Sequence, residues 1–75
     1  MFSITSRVTC VRTAPGVYRL YYQSRRVGDA VTVDNDTLYV SHSFTESGRV
    51  VASLRDAARW LEAIEDAVAA PLAAA

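Results

Sequence analysis

Cys10 and His42 are the only thiol and the only imidazole in the chain. A cysteine beside a histidine can act as a nucleophile beside its base. Period-two alternation places both side chains on the inward faces of their strands. A dyad also needs exposure, hydrogen-bond reach and a third group to orient the imidazole, and no residue nearby supplies them. Cys10 is therefore expected as a small core residue, and His42 as a partly buried one bonded to a neighbour. One cysteine and one histidine are too few ligands for zinc. "DND" at 34–36 lacks the alternating ligands and closing glutamate of a calcium loop and fits a turn. "APG" holds one glycine, so no glycine-rich phosphate loop exists. These observations predict a non-enzyme, with no catalytic residue, no metal site and no cofactor.

Arginine and tyrosine remain as the residue types suited to contact. Both are enriched at binding hot spots, and both serve nucleic acid through phosphate contacts and stacking. "GVYRLYYQSRR" (16–26) alternates, with Tyr18, Leu20 and Tyr22 on one face and Val17, Arg19, Tyr21, Gln23 and Arg25 on the other. The same parity adds Arg7, Thr9, Thr32, Tyr39, Ser41 and Ser43 to the second face. Arg7, Arg19, Tyr21, Gln23, Arg25, Tyr39 and Ser41 are thus candidate partner-binding residues. A merely solvated sheet more typically carries threonine, lysine and glutamate.

Charge is segregated as well. Residues 1–28 hold five arginines and no acid, whereas residues 29–75 hold eight acids against three arginines, giving +5 and −5. Either the halves neutralise each other within one fold, or each presents a charged surface. Glu62, Glu65 and Asp66 make the outer side of a C-terminal helix acidic, an alternative contact surface. Asp56 lies on that side too, mixed with Arg55 and Arg59.

The elements that position these residues are legible from alternation and turn chemistry. "FSITSRVTCV" reads as one half-buried strand. Pro15-Gly16 occupies the central positions of a type II turn. A second strand runs to about Arg25, "VGD" (27–29) breaks it, and "AVTVD" is a third. Asn35-Asp36 makes a two-residue hairpin loop pairing Val33 with Leu38 and Val31 with Val40, and a fourth strand continues through His42 to Phe44. "VVA" (50–52) is a short fifth strand or an approach to the helix. Ser53 is an N-cap with Asp56 three residues on, and "LRDAARWLEAIEDAVAA" carries Leu54, Ala57, Ala58, Trp60, Leu61, Ile64, Ala67 and Val68 on one arc. Pro71 is expected to end the helix.

The sum is a two-layer α+β domain over residues 1–70, with a frayed tail at 71–75. An antiparallel sheet of about four strands packs on one C-terminal amphipathic helix. Phe2, Ile4, Val8, Leu20, Tyr22, Val31, Val33, Leu38, Val40 and Phe44 are expected beneath Trp60, Leu61 and Ile64. The opposite sheet face stays open. No apolar run approaches the roughly 20 residues that span a bilayer. "MFSITSRV" lacks the pattern of a signal peptide. With a single cysteine, these features place the chain in the cytoplasm of a bacterial host, away from membranes.

"SHSFTESGRVVASLRDAARWLEAIE" resembles the end of the small arm-type DNA-binding domains of phage integrases, through Phe44, Ala57, Ala58, Trp60 and Leu61. That resemblance implies a sheet entering the DNA major groove, with Arg7, Arg19, Tyr21 and Arg25 as readers. It departs in the longer "RVVAS" turn, in an extra strand and in the lack of a recombinase domain. In size and architecture the chain also resembles the small inhibitors encoded by phages and mobile elements, anti-CRISPR proteins among them. That likeness implies a non-enzymatic inhibitor, monomer or homodimer, that blocks a host protein or nucleoprotein complex through the sheet face. The alternative is a small DNA-binding domain using the same face.

Overall fold

Alternation broken by short turns drives residues 2–51 back and forth as a meander of antiparallel strands. The computed structural model describes the backbone of residues 1–74 and the side chains of residues 1–68. Strands β1 (Phe2–Ser3), β2 (Val8–Ala14), β3 (Val17–Tyr22), β4 (Arg25–Asp34), β5 (Thr37–His42) and β6 (Gly48–Val51) lie in chain order in one sheet, and helix α1 (Leu54–Ala74) follows. The α+β class, the antiparallel sheet and the single packed helix agree with the sequence reading. The sheet has six strands, not about four.

The first expected strand is bent in two. The amides of Ile4 and Thr5 both donate to the Val8 carbonyl, at 2.9 and 3.2 Å. Thr5 Oγ1 accepts from the amides of Arg7 and Val8, the local side-chain bonding by which threonine competes with a ladder. Phe2 and Ser3 therefore fold back beside Cys10 and Thr9. Phe2 lies at the sheet edge, 47% exposed, and is not a core residue.

Turn chemistry sets the remaining registers. Gly16 has φ +74°, as the third position of a type II turn requires. Gln23 and Ser24, at φ 49° and 71°, form a primed-type loop between the paired Tyr22 and Arg25. Gln23 is thus a turn residue, and "VGD" is the middle of β4 and not a break. Between Asn35 and Asp36 neither φ is positive, so this loop lacks the twist of the primed types. The ladder responds with a bulge at Val33: Asp34 pairs with Thr37, then Thr32 with Leu38 and Ala30 with Val40. That one-residue shift reverses the expected parity of β4 and turns Val31 and Val33 outward.

A further bulge at Val27, between the Leu20–Gly28 and Tyr21–Arg26 pairs, sends Val27 into the core. The core comprises Val8, Cys10, Leu20, Val27, Ala30 and Val40 from the sheet, and Ala57, Ala58 and Leu61 from the helix. Ile4, Tyr18, Tyr22, Leu38, Val51, Leu54 and Trp60 flank it. Phe44 lies beyond the end of β5 and is exposed, against expectation. Ser53 Oγ accepts from the Asp56 amide at 3.1 Å, so the predicted N-cap is formed. The helix carries through Pro71, where the sequence predicts its end. The side chains of the expected tail, 71–75, lie outside the described residues. No described helix is long and apolar enough to cross a membrane.

Candidate functional site

Strand pairing lays the open face out in rows. One row runs Val17–Val31–Tyr39–Val50 across β3 to β6. Val31, Tyr39 and Val50 are 40%, 44% and 58% exposed. The next row runs Val11–Arg19–Asp29–Ser41–Gly48, and beyond it Thr9 and Tyr21 stand beside Arg26. No described element covers this face. Gly48 seats the tyrosine: a Cβ there would lie 1.8 Å from Tyr39 Oη, so the phenol lies across the bare backbone.

Of the predicted contact residues, Arg19, Tyr21, Tyr39 and Ser41 share this face as expected. Arg19 Nε is buried without a hydrogen-bond partner, and among the described residues no carboxylate reaches its guanidinium. Its cross-strand neighbour Asp29 is already taken, accepting two hydrogen bonds from Arg26 Nη2 at 2.9 and 3.2 Å. Arg26, one residue past the expected end of the second strand, pairs with Tyr21 and belongs to the open face.

Arg7 and Arg25 do not. Arg7 precedes β2, in the bend that the Thr5 bonds create, and reaches the helix. Its Nε donates to Glu62 Oε2 at 3.0 Å, and its two Nη groups meet Asp66 at 3.0 and 3.1 Å. Arg7 Nη1 also donates to Tyr22 Oη at 2.7 Å, and the phenol in turn donates to Asp66 at 3.2 Å. The Asp66 carboxyl is held below its usual range, chiefly by the hydrogen bonds from Arg7. Tyr22 is pushed up, mainly by burial of its phenol. Arg25 opens β4 opposite Tyr22 on the helix side, where it donates to Glu65 and lies 5.3 Å from the Phe44 ring centre.

Glu65 is likewise corrected. It is buried, not on the outer helix side, because one helix turn beyond Leu61 the arc still faces the sheet. His42 Nε2 lies 2.7 Å from Glu65 Oε2, and the imidazole is itself buried. The Thr45 amide donates to Nδ1 at 3.1 Å, so Nδ1 is an acceptor and Nε2 carries the proton that points at Glu65. Glu62 is half-buried against Arg7, and only Asp66 of the three predicted acids is exposed. The acidic helix stripe is thus largely occupied by two arginines and the histidine of its own chain.

Cys10 and His42 both point inward, as expected. They end the row Cys10–Leu20–Gly28–His42, three strand spacings or about 14 Å apart, too far for one to activate the other. No group of three metal-ligating side chains occurs among the described residues. The exposed valines are the feature the sequence reading missed. For Val31 and Val33 the one signal is that Asn35-Asp36 lacks the glycine that favours a regular primed hairpin. Comparison with known proteins finds no matching family model, no matching curated protein and no matching solved structure.

Proposed function

We propose that this chain is a non-enzymatic binding protein whose open sheet face covers a surface on a bacterial protein or nucleoprotein complex and inhibits it by occupancy. The observation that carries this reading is the cross-strand row Val17–Val31–Tyr39–Val50, an apolar and aromatic band of which Val31, Tyr39 and Val50 are exposed, flanked by Arg19 and Tyr21. Adjacent valines and a seated tyrosine give rigid contact area at little entropic cost. An unpaired arginine beside them offers forked donors.

The same geometry favours protein over DNA as the partner. Two of the arginines assigned to groove reading, Arg7 and Arg25, are held by Glu62, Glu65 and Asp66. Arg26 is tied to Asp29, which leaves Arg19 as the face's unpaired cation among the described residues. Groove binding depends on several phosphate contacts, and a band of valines supplies none.

The test compares wild-type protein with Val31→Asp and Tyr39→Asp variants as bait in bacterial lysate, beside a low-salt DNA mobility shift. A protein retained by wild type and lost from both variants supports the reading. A DNA shift that Arg19→Ala abolishes supports groove binding in its place. Equal capture by wild type and variants sinks the assignment of the face.

A further inference from the structure

A second surface adjoins the open face at Val50 and extends over the helix side of β6. β6 is the last strand of the sheet and pairs only with β5, so the backbone groups of its outer edge are not used in the ladder. Beside that edge lies a groove of about 480 Å³ between β6 and the helix. Arg49, Val50, Val51 and Ala52 form one wall. Asp56, Arg59, Trp60 and Ala63, one stripe at helical spacing, form the other. The wall residues sort by chemistry: Val51, Trp60 and Ala63 are apolar, and two guanidinium groups face one carboxylate. Among the described residues neither Arg49 nor Arg59 is in an ion pair, in contrast to Arg7, Arg25 and Arg26.

An open strand edge next to a helix is the geometry that admits an added strand, with main-chain bonds for affinity and alternate side chains for specificity. The opposite edge is less regular: β1 covers only two residues of β2, and the remainder is bulged near Thr13. We infer that β6 and α1 form a docking groove for an extended acidic peptide segment of a partner protein. The segment adds antiparallel or parallel to β6. Its inward side chains alternate between a carboxylate met by Arg49 and Arg59 and an apolar group set against Val51 and Trp60. Charge complementarity selects the acidic peptide: each carboxylate brought in gains an arginine that currently has none, and a basic segment meets two like charges.

Trp60 is the single tryptophan of the chain, so any emission change arises at one position, on the wall of this groove. The probe is the capped heptapeptide Thr-Glu-Thr-Leu-Thr-Glu-Thr, with strand-forming threonine at outward positions. The expected result is a saturable change in Trp60 emission, weakened at least ~10-fold when lysine replaces both glutamates, a difference of about 1.4 kcal/mol. Proline at the two central threonines removes the amides a ladder needs and abolishes the response. Arg49→Glu with Arg59→Glu gives the same loss. Should that variant unfold, the lysine and proline probes still decide with wild-type protein. No emission change, or an equal response to the lysine probe, overturns the proposal. So does a concentration-dependent dimer that Arg49→Glu dissolves, which would give the edge to a second copy. Val31→Asp leaves this titration unchanged, so failure here and failure of the open face are told apart.

Discussion

His42 Nε2 and Glu65 Oε2, 2.7 Å apart and both buried, join the end of β5 to the inner side of the helix. Each partner depends on the other. The imidazole is fixed from behind by the Thr45 amide, and the carboxylate takes Arg25 on its second oxygen. Replacing Glu65 by alanine strands a buried Nε2–H and removes the anion facing Arg25. The expected cost is about 3 kcal/mol. Glu65→Gln keeps an acceptor for His42 and loses mainly the Arg25 pair. Because the Arg25 side chain is 59% exposed, about 1 kcal/mol is expected there. Urea unfolding reads both values. An alanine variant within about 0.5 kcal/mol of wild type would show that the pair does not hold the layers together.

Architecture was legible where local chemistry and global pattern agree. Pro15-Gly16, Ser53 with Asp56, and the arc through Ala57, Ala58 and Leu61 each appear as read. Parity was lost wherever a bulge intervened, because one inserted residue reverses every later side chain and leaves composition unchanged. The bulge at Val33 exchanged Val31 for Ala30 in the core, and the one at Val27 brought in a valine read as part of a break. Arg7 and Arg25 were misplaced for a different reason. Each flanks a turn, where strand parity no longer governs direction, and each is drawn to acids more than 35 residues away in sequence.

Gly28 is where the sheet admits the helix. A Cβ at this position would lie 2.2 Å from the Ser41 carbonyl oxygen and 3.1 Å from Leu61 Cδ2. The leucine could shift its methyl, but the carbonyl belongs to the β4–β5 ladder and cannot move without breaking it. Gly28→Ala is therefore expected to destabilise by roughly 2–3 kcal/mol, despite the higher intrinsic strand preference of alanine. Thermal unfolding followed by circular dichroism measures the loss. A melting temperature equal to wild type would mean that the layers are not in contact here.

Acid sensitivity follows from Asp66. Its carboxyl is held below the ordinary value by the Arg7 guanidinium, so the folded state binds this proton more weakly than the unfolded chain does. The stabilisation is fully present above the unfolded carboxylate value of about 3.9 and is lost as pH falls through the lower folded value. Stability should decline below about pH 4 in wild type, with a shallower decline in Asp66→Asn over that window. The urea midpoint measured from pH 6 to pH 2 checks this. Parallel curves for the two proteins would remove Asp66 from the acid response.

Cys10 makes the opposite test available at high pH. Its side chain is fully buried at the Leu20 end of the core row, and burial pushes the thiol up from its ordinary value. A raised folded value stabilises the protein below the unfolded thiol value, and that contribution is lost as pH rises above about 8.5. Because the thiolate is the reactive form, the native protein should resist a disulfide reagent at pH 8. Labelling should then proceed only through the open population, and Gly28→Ala should accelerate it tenfold for each ~1.4 kcal/mol of stability it loses. Rapid labelling of native wild type, at the rate seen in urea, would mean that β2 opens without the rest of the fold. The wall formed by Val8, Leu20 and Leu61 would then not be the closed core that seats Cys10.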